Sequence, residues 1–475
     1  MSTNQAVRPF GLRDKIGYAL GDFGNNFTFL FASMYLMTFC TNVLGMNPAI
    51  VGIILSASKI VDAFTDFGMG RICDTAKPTK DGRFRPWIKR MAIPMGLSSI
   101  LIYQFWVSGF PMGGRVAWVA IFYIVWGSFF YTACNIPYGS MASVITNDSK
   151  ERTQLSSWRT IGATMSGMLI GIIAPTLIFA TSETGQQYVV PEKFTIAAIV
   201  FGIISAVCYL GCYALTTERV KIDPAKAASA KASQPKLSIV DTLKGLVTCG
   251  PLLVYIVVSI LILIASLGLT ALQTYLYMDY FNNTSIMSLA SMLSTVAMIA
   301  MAPIAPFLAS KIGKKEVGCI GLLISGGVFL LCWVMHITNP MVYVILRTVQ
   351  SMGLGLNSMV AWAFISDIID YQEVKAGVRT DGTVYSTYSF TRKIAQAAAA
   401  GLGGFLLTAI GYVQSTAGEV VVQTEAVKSG IYTCMNLLPA VLTLVAVLIM
   451  WFLYPLGKKQ VDENTRILAE RRAEK

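Results

Sequence analysis

The strongest constraint in the sequence is a series of long apolar stretches that recur over its full 475 residues. Each is close to the roughly 20 apolar residues that an α-helix needs to cross a lipid bilayer. Only 13% of the residues are charged, against about 25% in soluble domains. These features predict an all-α membrane protein rather than two or three soluble domains.

Short polar segments, glycines and prolines divide the chain into twelve apolar stretches, and none of these has the alternation of a strand. We predict transmembrane helices over residues 16–44, 48–73, 87–110, 116–145, 153–181, 194–216, 250–281, 285–310, 316–337, 341–370, 382–411 and 429–456.

A polar segment of low complexity at 225–236 interrupts this series and is typical of a flexible linker. It divides the helices into two groups of six, as in transporters that are built from repeated bundles. The predicted domains are an N-terminal six-helix bundle (1–216), a cytoplasmic linker (217–249), a C-terminal six-helix bundle (250–457) and a charged, helical, solvated tail (458–475).

The positions of Lys and Arg predict the orientation of the chain in the membrane. If the N-terminus is inside, about 29 of the 37 Lys and Arg residues lie in inside segments, and the outside loops hold only Arg115, Lys193 and Lys428. This bias places both termini in the cytoplasm of a bacterium, with the protein in its inner membrane. It also accounts for most of the net charge of +12 without a nucleic-acid partner.

Motifs for other functions are missing from the sequence. There is no GxxxxGK[ST] motif for ATP, no CxxC pair and only one histidine, His336. A membrane-embedded enzyme would need a metal cluster or a nucleophile with a base, and a sensor would need a soluble output domain. We therefore expect a transporter of a small polar solute, without a cofactor and acting as a monomer in contact with lipid.

Charges inside the predicted spans are candidates for function, because a charge at the bilayer centre costs several kcal/mol. For Asp279, Arg347 and Asp367, structural or interfacial pairing is the favoured interpretation. The remaining charges are Asp22, Lys59, Asp62, Asp66, Arg159, Arg392 and Lys393.

The second span contains the main cluster of these charges. Asp62 and Asp66 are four residues apart and share one helical face with Lys59. With the Thr65 hydroxyl they offer hard oxygen ligands that suit a small cation. They would also suit a proton, since close carboxylates raise one another's pKa. The structural alternative is a salt bridge from Lys59 that only neutralises the acids.

Polar residues in other spans are candidates for solute binding. In the fourth span, Asn135 and Tyr138 flank Pro137, which frees a backbone carbonyl. The alternative is polar contact between helices. In the eleventh span, Arg392 and Lys393 follow Tyr388, and neighbours on a helix point about 100° apart, so only one of the two cations can face a given cavity. Further candidates for solute binding are Asp22 and Arg159.

Acids and arginines at the inner helix ends are candidates for an inner gate, in which they pair across the two halves. The alternative is an ordinary set of positively charged inside loops. The residues are Asp74, Arg83, Arg85, Asp370, Arg379 and Asp381.

Several motifs together resemble the glycoside–pentoside–hexuronide:cation symporters, a branch of the major facilitator superfamily. The resemblance extends from about residue 13 to 457. It rests on Gly-Tyr-Ala-Leu-Gly-Asp (17–22), Asp-Ala-Phe-Thr-Asp (62–66), Gly-Arg-Phe-Arg-Pro-Trp (82–87), Asn-Ile-Pro-Tyr-Gly-Ser (135–140), Asp-Tyr (370–371) and Arg-Thr-Asp-Gly (379–382).

The resemblance implies the twelve-helix major facilitator fold and transport by alternating access. It implies that Asp62 and Asp66 bind the coupling cation, with Thr132 as a further ligand. It also implies that Lys393 links the cation and sugar sites. The coupling ion is left open between Na⁺ and H⁺.

Two departures from the melibiose carrier of that family bear on the substrate. Asn26 and Asn135 stand where that carrier has sugar-binding aspartates, so a galactoside such as melibiose is not expected. Amides in place of acids remove repulsion toward a carboxylate, and Arg159, Arg392 or Lys393 can pair with it. A glucuronide is the first candidate for the substrate, and a neutral pentoside such as a xyloside is the alternative.

Overall fold

The computed structural model describes residues 8–75, 79–220, 250–376, 381–417 and 419–473, which are mainly helical. The helices are α1 (Leu12–Asn42), α2 (Pro48–Thr75), α3 (Arg85–Ile102), α4 (Met112–Ile145), α5 (Ser149–Ile178), α6 (Pro191–Leu215), α7 (Gly250–Leu267), α8 (Leu272–Tyr275), α9 (Ile286–Ile312), α10 (Lys314–Met335), α11 (Pro340–Ala376), α12 (Asp381–Ala409), α13 (Glu425–Leu453) and α14 (Lys458–Ala473).

Each of the twelve predicted stretches contains a helix, with α7 and α8 sharing the stretch 250–281. Nine helices in the described part of the chain are long and apolar enough to cross a membrane. Three helices at predicted positions, α1, α3 and α12, do not meet that criterion. All three carry charged side chains, for example Asp22, Lys89 and Arg392. Twelve crossings therefore remain a prediction, because these three helices are too polar to be counted by hydropathy.

A short β-hairpin separates α5 from α6. Its strands are β1 (Phe179–Thr181) and β2 (Gln187–Val189), which pair antiparallel with Ala180 opposite Tyr188. The predicted fifth span, 153–181, is therefore three residues too long at its C-terminal end, since α5 ends at Ile178. Residues 179–181 are apolar or small, so hydropathy alone did not distinguish a strand from the last helical turn.

The chain divides into two compact units. Unit 1 comprises residues 1–235 and 413–422, and unit 2 comprises residues 236–412 and 423–475. Most of the predicted linker, 221–249, lies outside the described residues. Residues 217–220 were also predicted as linker, but the structure packs them into unit 1. A polar composition marked them as exposed, whereas their side chains bind helix ends.

In unit 1, α1 packs against α5 and α6, α3 packs against α6, and α2 packs against α4. Aromatic side chains from α1 and α6 fill the core of this unit. They are in contact with Tyr103, which follows α3. The aromatic residues of this cluster are Phe27, Phe31, Phe39, Phe194 and Phe201.

In unit 2, α11 packs against α9 and α10, and α13 packs against α7 and α10. The tail helix α14 packs on α11, and Leu468 and Asn464 on α14 are buried. Arg471 donates hydrogen bonds to the backbone carbonyls of Glu373 and Val374 at the end of α11. The tail is helical as predicted, but one of its faces is packed rather than solvated.

The loop before α3 is held by a carboxylate from the segment after α6. Glu218 accepts hydrogen bonds from the backbone N–H groups of Arg83, Phe84 and Arg85, at 2.7, 2.8 and 2.8 Å. These donors lie just before and at the start of α3, where backbone N–H groups have no partner within the helix. Gly82 has a φ of +114°, and a Cβ there would lie 2.5 Å from Glu218 Cδ. The sequence Gly-Arg-Phe-Arg-Pro is thus a capping loop that requires glycine at its first position.

A second buried acid joins the start of α1 to the same segment. Asp14 is fully buried and pairs with Arg8 at 2.9 Å and with Arg219 at 2.8 Å. Its carboxylate also accepts the backbone N–H of Thr217. A buried carboxylate with this many donors is well compensated. Residues 217–219 therefore connect the end of α6 to the starts of α1 and α3.

Replacing Glu218 by Ala should destabilise unit 1, because three backbone donors at the start of α3 lose their acceptor. We expect a loss of about 2 kcal/mol, measured as a lower unfolding temperature of the purified protein in detergent. Glu192→Ala is the matched control, since Glu192 is an exposed acid in the first turn of α6. Equal unfolding temperatures for the two variants would contradict the capping role.

Candidate functional site

The acidic face of α2 lies against α4. Asp62 and Asp66 occupy successive turns of α2, and both are partly buried. Lys59 Nζ lies 2.8 Å from Asp62 Oδ2, so one oxygen of this carboxylate carries an ion pair within the same helix. The salt bridge from Lys59, which was the structural alternative to cation binding, is therefore present. It involves Asp62 and not Asp66.

Two hydroxyls of α4 face the two acids of α2. Ser128 Oγ donates to Asp62 Oδ1 at 2.5 Å, and Thr132 Oγ1 donates to Asp66 Oδ1 at 2.9 Å. Ser128 and Thr132 are four residues apart on α4, and Asp62 and Asp66 are four residues apart on α2. One turn of α4 therefore matches one turn of α2. The structure thus brings Thr132 to the acids, as the resemblance implied.

A π-helical turn, Val125–Tyr131, interrupts α4 immediately before Thr132. Such turns insert one extra residue into a helix and often occur at functional sites. Here the turn includes Ser128. Ser128 is not among the residues predicted from the sequence, although its four-residue spacing from Thr132 repeats the spacing of the two acids and could have indicated it.

Thr65 does not join this cluster. Its hydroxyl donates to the backbone carbonyls of Val61 and Asp62, each at 3.2 Å, so it folds back on its own helix. Threonine in a helix commonly forms such a bond to the preceding turn. Because Thr65 is adjacent to Asp66 in sequence, its side chain points away from the acidic face in this structure, and its role as a cation ligand stays a prediction.

A second polar site in unit 1 contains an arginine. Arg159 on α5 pairs with Asp22 on α1, with Nε 3.4 Å from Asp22 Oδ2. Its guanidinium lies over the Tyr138 ring of α4, 5.3 Å from the ring centroid. The hydrogen bonds of the described residues include none from its two terminal nitrogens. These nitrogens form the fork that binds carboxylates in bidentate geometry, and the side chain is 39% exposed.

Tyr138 packs against the buried side of the Arg159 guanidinium. Its side chain is fully buried, its hydroxyl donates to the backbone carbonyl of Tyr18 at 2.7 Å, and its ring stacks on the Tyr18 ring. Gly21 leaves room for this ring, since a Cβ there would clash with it. The ring therefore packs inward, against Arg159, and contact of Tyr138 with the solute stays a prediction.

Three asparagines of unit 1 have different environments. Asn25 is buried and bridges α4 and α6, because its amide donates to Tyr131 Oη and accepts from Tyr209 Oη. Asn26 and Asn135 are partly exposed, and within the described residues neither side chain forms a hydrogen bond. Asn26 is one turn from Asp22 on α1. The structure therefore leaves both predicted solute-binding amides with unused hydrogen-bonding groups.

An aromatic path connects the acids of α2 to α1. Lys59 Nζ lies 5.6 Å from the Phe29 ring centroid, and Phe29 stacks on Tyr131. Tyr131 in turn binds Asn25, the neighbour of Asn26. The acidic cluster and the polar face of α1 are thus in contact through packed side chains within one unit.

In unit 2, the two neighbouring cations of α12 differ in burial. Arg392 is partly buried, with its guanidinium 5.7 Å from the Tyr388 ring centroid, while Lys393 is exposed. Tyr388 is buried and stacks on Tyr255 of α7. The two cations point in different directions, as their helical spacing requires. The role of Lys393 between cation and sugar stays a prediction.

The comparisons with known proteins identify the family. A family model described as MFS/sugar transport protein matches residues 17–458. The chain belongs to this family of sugar transporters. A glucuronide carrier protein homolog of Escherichia coli is 31% identical, covering 95% of this chain and 94% of the relative. A putative sulfoquinovose importer of the same organism is 30% identical, covering 96% of this chain and 93% of that relative.

The solved structures confirm the major facilitator fold of this sugar transporter. A D-xylose–proton symporter has a TM-score of 0.64, with 12% identity and coverage of 94% of this chain and 97% of that chain. At this identity the likeness concerns the fold alone. The resemblance stated from the motifs is confirmed, and the transporter is a multi-pass membrane protein and not an enzyme.

Two of the residues predicted to gate the transporter, Arg83 and Arg85, have contacts inside unit 1. Arg83 Nε donates to the carbonyl of Cys73 at the end of α2, and Arg85 donates to the carbonyl of Tyr213 near the end of α6. Asp370 lies on α11 in unit 2. The side chains of Asp74 and Asp381 and all of Arg379 lie outside the described residues. Pairing of these groups across the two halves stays a prediction.

The intramembrane charges favoured as structural have partners in unit 2. Asp367 pairs with Lys314 at 2.6 Å, and Asp279 accepts a hydrogen bond from Tyr412 Oη at 3.3 Å. The Arg347 guanidinium lies 4.5 Å from the Phe329 ring centroid. These contacts agree with the structural interpretation of all three.

Replacing Tyr138 by Phe tests its position behind Arg159. The variant loses one buried hydrogen bond and keeps the ring, so we expect a stability loss of about 1 kcal/mol. The substrate concentration at half-maximal uptake should stay within about twofold, since about 0.4 kcal/mol corresponds to that change. A large rise in that concentration without a change in unfolding temperature would show direct contact with the solute.

Proposed function

We propose that this sugar transporter is a cation-coupled symporter that imports an anionic glycoside, with a hexuronide as the first candidate. It would act in the bacterial inner membrane with both termini in the cytoplasm, as the Lys and Arg distribution predicts. The observation that carries the proposal is the Arg159 guanidinium, fixed by Asp22 and Tyr138, with a partly exposed side chain and no hydrogen bond from its fork within the described residues.

The chemistry around Arg159 favours an anionic sugar over a neutral one. Arg159 can grip a carboxylate with two parallel hydrogen bonds, while Asn26 and Asn135 can donate to and accept from sugar hydroxyls. Two relatives support this choice, since one is named a glucuronide carrier homolog and another a sulfoquinovose importer. Glucuronides and sulfoquinovose share a sugar ring with an anionic group.

The acidic cluster supplies the coupling step of the proposal. A cation bound at Asp62 and Asp66 neutralises charge that is otherwise held in a low-dielectric region. Because Phe29 and Tyr131 link this cluster to α1, its occupancy can alter the position of Asn26. We propose that this coupling raises affinity for the glycoside, and that the loaded carrier then changes between outward- and inward-facing states.

The coupling role of the acids is tested by Asp62→Asn and Asp66→Asn. Either variant should lose concentrative uptake of a labelled glucuronide by about tenfold or more, because a missing charge costs the site well over 1.4 kcal/mol of cation binding. Exchange of glucuronide across the membrane without a gradient should survive. Uptake into membrane vesicles with imposed Na⁺ or pH gradients measures both activities. Full accumulation by both variants would overturn the cation assignment.

The anion-binding role is tested by Arg159→Lys. Lysine keeps the charge but loses the bidentate fork, so half-maximal uptake should need about tenfold more glucuronide. Uptake of a neutral xyloside is the internal control and should respond by a much smaller factor. If the wild type transports only the xyloside, or if both solutes respond equally, the neutral pentoside is the substrate class instead.

A further inference from the structure

A short segment after α12 binds the end of α1. We call residues 413–417 the strap. The backbone N–H of Ser415 donates to the carbonyl of Thr41 at 3.0 Å, and the backbone N–H of Ala417 donates to the carbonyl of Val43 at 2.9 Å. The last carbonyls of a helix have no donor within that helix. The strap therefore supplies donors that α1 lacks at its C-terminal end.

The strap fits closely against the residues that follow α1. Thr416 pairs antiparallel with Leu44, which is fully buried. Gly45 has a φ of +62°, and a Cβ there would clash with Thr416 Oγ1. Arg115 Nη1 donates to the carbonyl of Leu44 at 2.7 Å and so holds the surface on which the strap lies. Glycine at position 45 is therefore needed both for the turn after α1 and for the approach of the strap.

The chain enters the strap from a residue that is fixed in unit 2. Tyr412 is buried, its ring packs edge-on against Tyr275 with 4.9 Å between the ring centroids, and its hydroxyl donates to Asp279 Oδ2. Ser415 lies only three residues later and is bound to α1 in unit 1. Three residues span at most about 11 Å. The chain therefore has little slack between these two points of attachment.

The strap is the weaker of the two attachments. Release of Tyr412 would separate a buried aromatic ring from its partners. The strap is held mainly through backbone groups, together with a bond from Ser415 Oγ to the Asn42 carbonyl at 3.2 Å. Its residues Gln414 and Ala417 are exposed, and Ala417 has a φ of +53°, which is unfavourable for a residue with a Cβ. Once detached, its backbone groups would bind water instead.

We propose that the strap is a reversible latch, which docks on the end of α1 in one state of the transport cycle and detaches in another. Transporters of this fold work by movement of one helix bundle against the other. Because only three residues join Tyr412 to Ser415, such a movement lifts the strap from α1 once the chain between them is fully extended. The latch acts in the same way for either candidate solute and either coupling ion.

A disulfide that fastens the strap to α1 tests this proposal. Leu44→Cys/Thr416→Cys replaces an opposed antiparallel pair. Such pairs have Cα atoms about 4.5 to 5.5 Å apart, which suits a disulfide. Oxidation should lower uptake of labelled glucuronide and xyloside into proteoliposomes at least about tenfold, because the strap can no longer detach. Reduction of the same sample should restore uptake. Full uptake by the oxidised protein would overturn the latch.

Thr181→Cys/Gln187→Cys is the matched control, since these residues are opposed in the β-hairpin of unit 1. Its disulfide joins two strands that are already paired in one unit, so uptake should be equal in the oxidised and reduced protein. The single variants Leu44→Cys and Thr416→Cys, oxidised separately, control for bonds to the nine native cysteines. An equal loss of uptake in any of these controls would count against the latch.

Thiol labelling tests detachment without a transported solute. Leu44 and Val107 are both fully buried, and Arg115 donates to the carbonyls of Leu44 and Phe110 in these two neighbouring segments. Leu44 pairs with the strap, whereas Val107 belongs to the loop between α3 and α4. A hydrophilic maleimide should therefore label Leu44→Cys at least about tenfold faster than Val107→Cys in the purified protein, because opening of the strap exposes it. Equal rates would overturn the proposal.

The labelling comparison separates the latch from the proposed function. If the wild type takes up neither glucuronide nor xyloside, the proposed function fails, while the two labelling rates still decide whether the strap detaches. They also decide it if the cysteine pair of the strap does not transport in its reduced form.

Discussion

The arrangement of unit 1 depends on one electrostatic constraint, which is that carboxylates within membrane helices need compensation from other helices. Asp62 and Asp66 receive one hydroxyl each from α4, and Lys59 provides one positive charge. Because a low-dielectric surrounding makes a buried charge costly, these contacts help to hold the two carboxylates between α2 and α4. Asp14 shows the same kind of compensation, with Arg8 and Arg219 as its partners.

The π turn of α4 determines which hydroxyls of α4 face the carboxylates of α2. A regular helix would rotate Ser128 and Thr132 differently relative to Asp62 and Asp66, since one inserted residue turns a helix by about 100°. The turn therefore sets the register between α2 and α4. It ends at Tyr131, which stacks on Phe29 and binds Asn25. The same local irregularity thus places the hydroxyls at the acids and connects them to α1.

The sequence predicted the helices and the acidic pair because both depend on local pattern. The length of each apolar stretch predicts a transmembrane helix, and the four-residue spacing of Asp62 and Asp66 predicts that they share one face of a helix. Contacts that depend on packing between helices were beyond this reasoning. The inward direction of Tyr138 depends on Gly21 in another helix, and the Thr65 hydroxyl donates to a backbone carbonyl of its own helix. The cap supplied by Glu218 joins residues more than a hundred positions apart.

Ser128 illustrates the same limit in a more useful way. Serine in an apolar helix usually binds its own backbone, so this residue does not stand out in sequence. Its role depends on the facing helix α2, where Asp62 accepts its hydrogen bond. Arg159 is the opposite case, because its charge is evident in sequence while its availability depends on Asp22 binding only Nε. In both sites, one helix provides the charged group and a neighbouring helix determines which of its atoms remain available. The availability of these atoms, rather than the presence of the charged residue, therefore determines what each site of this transporter can bind.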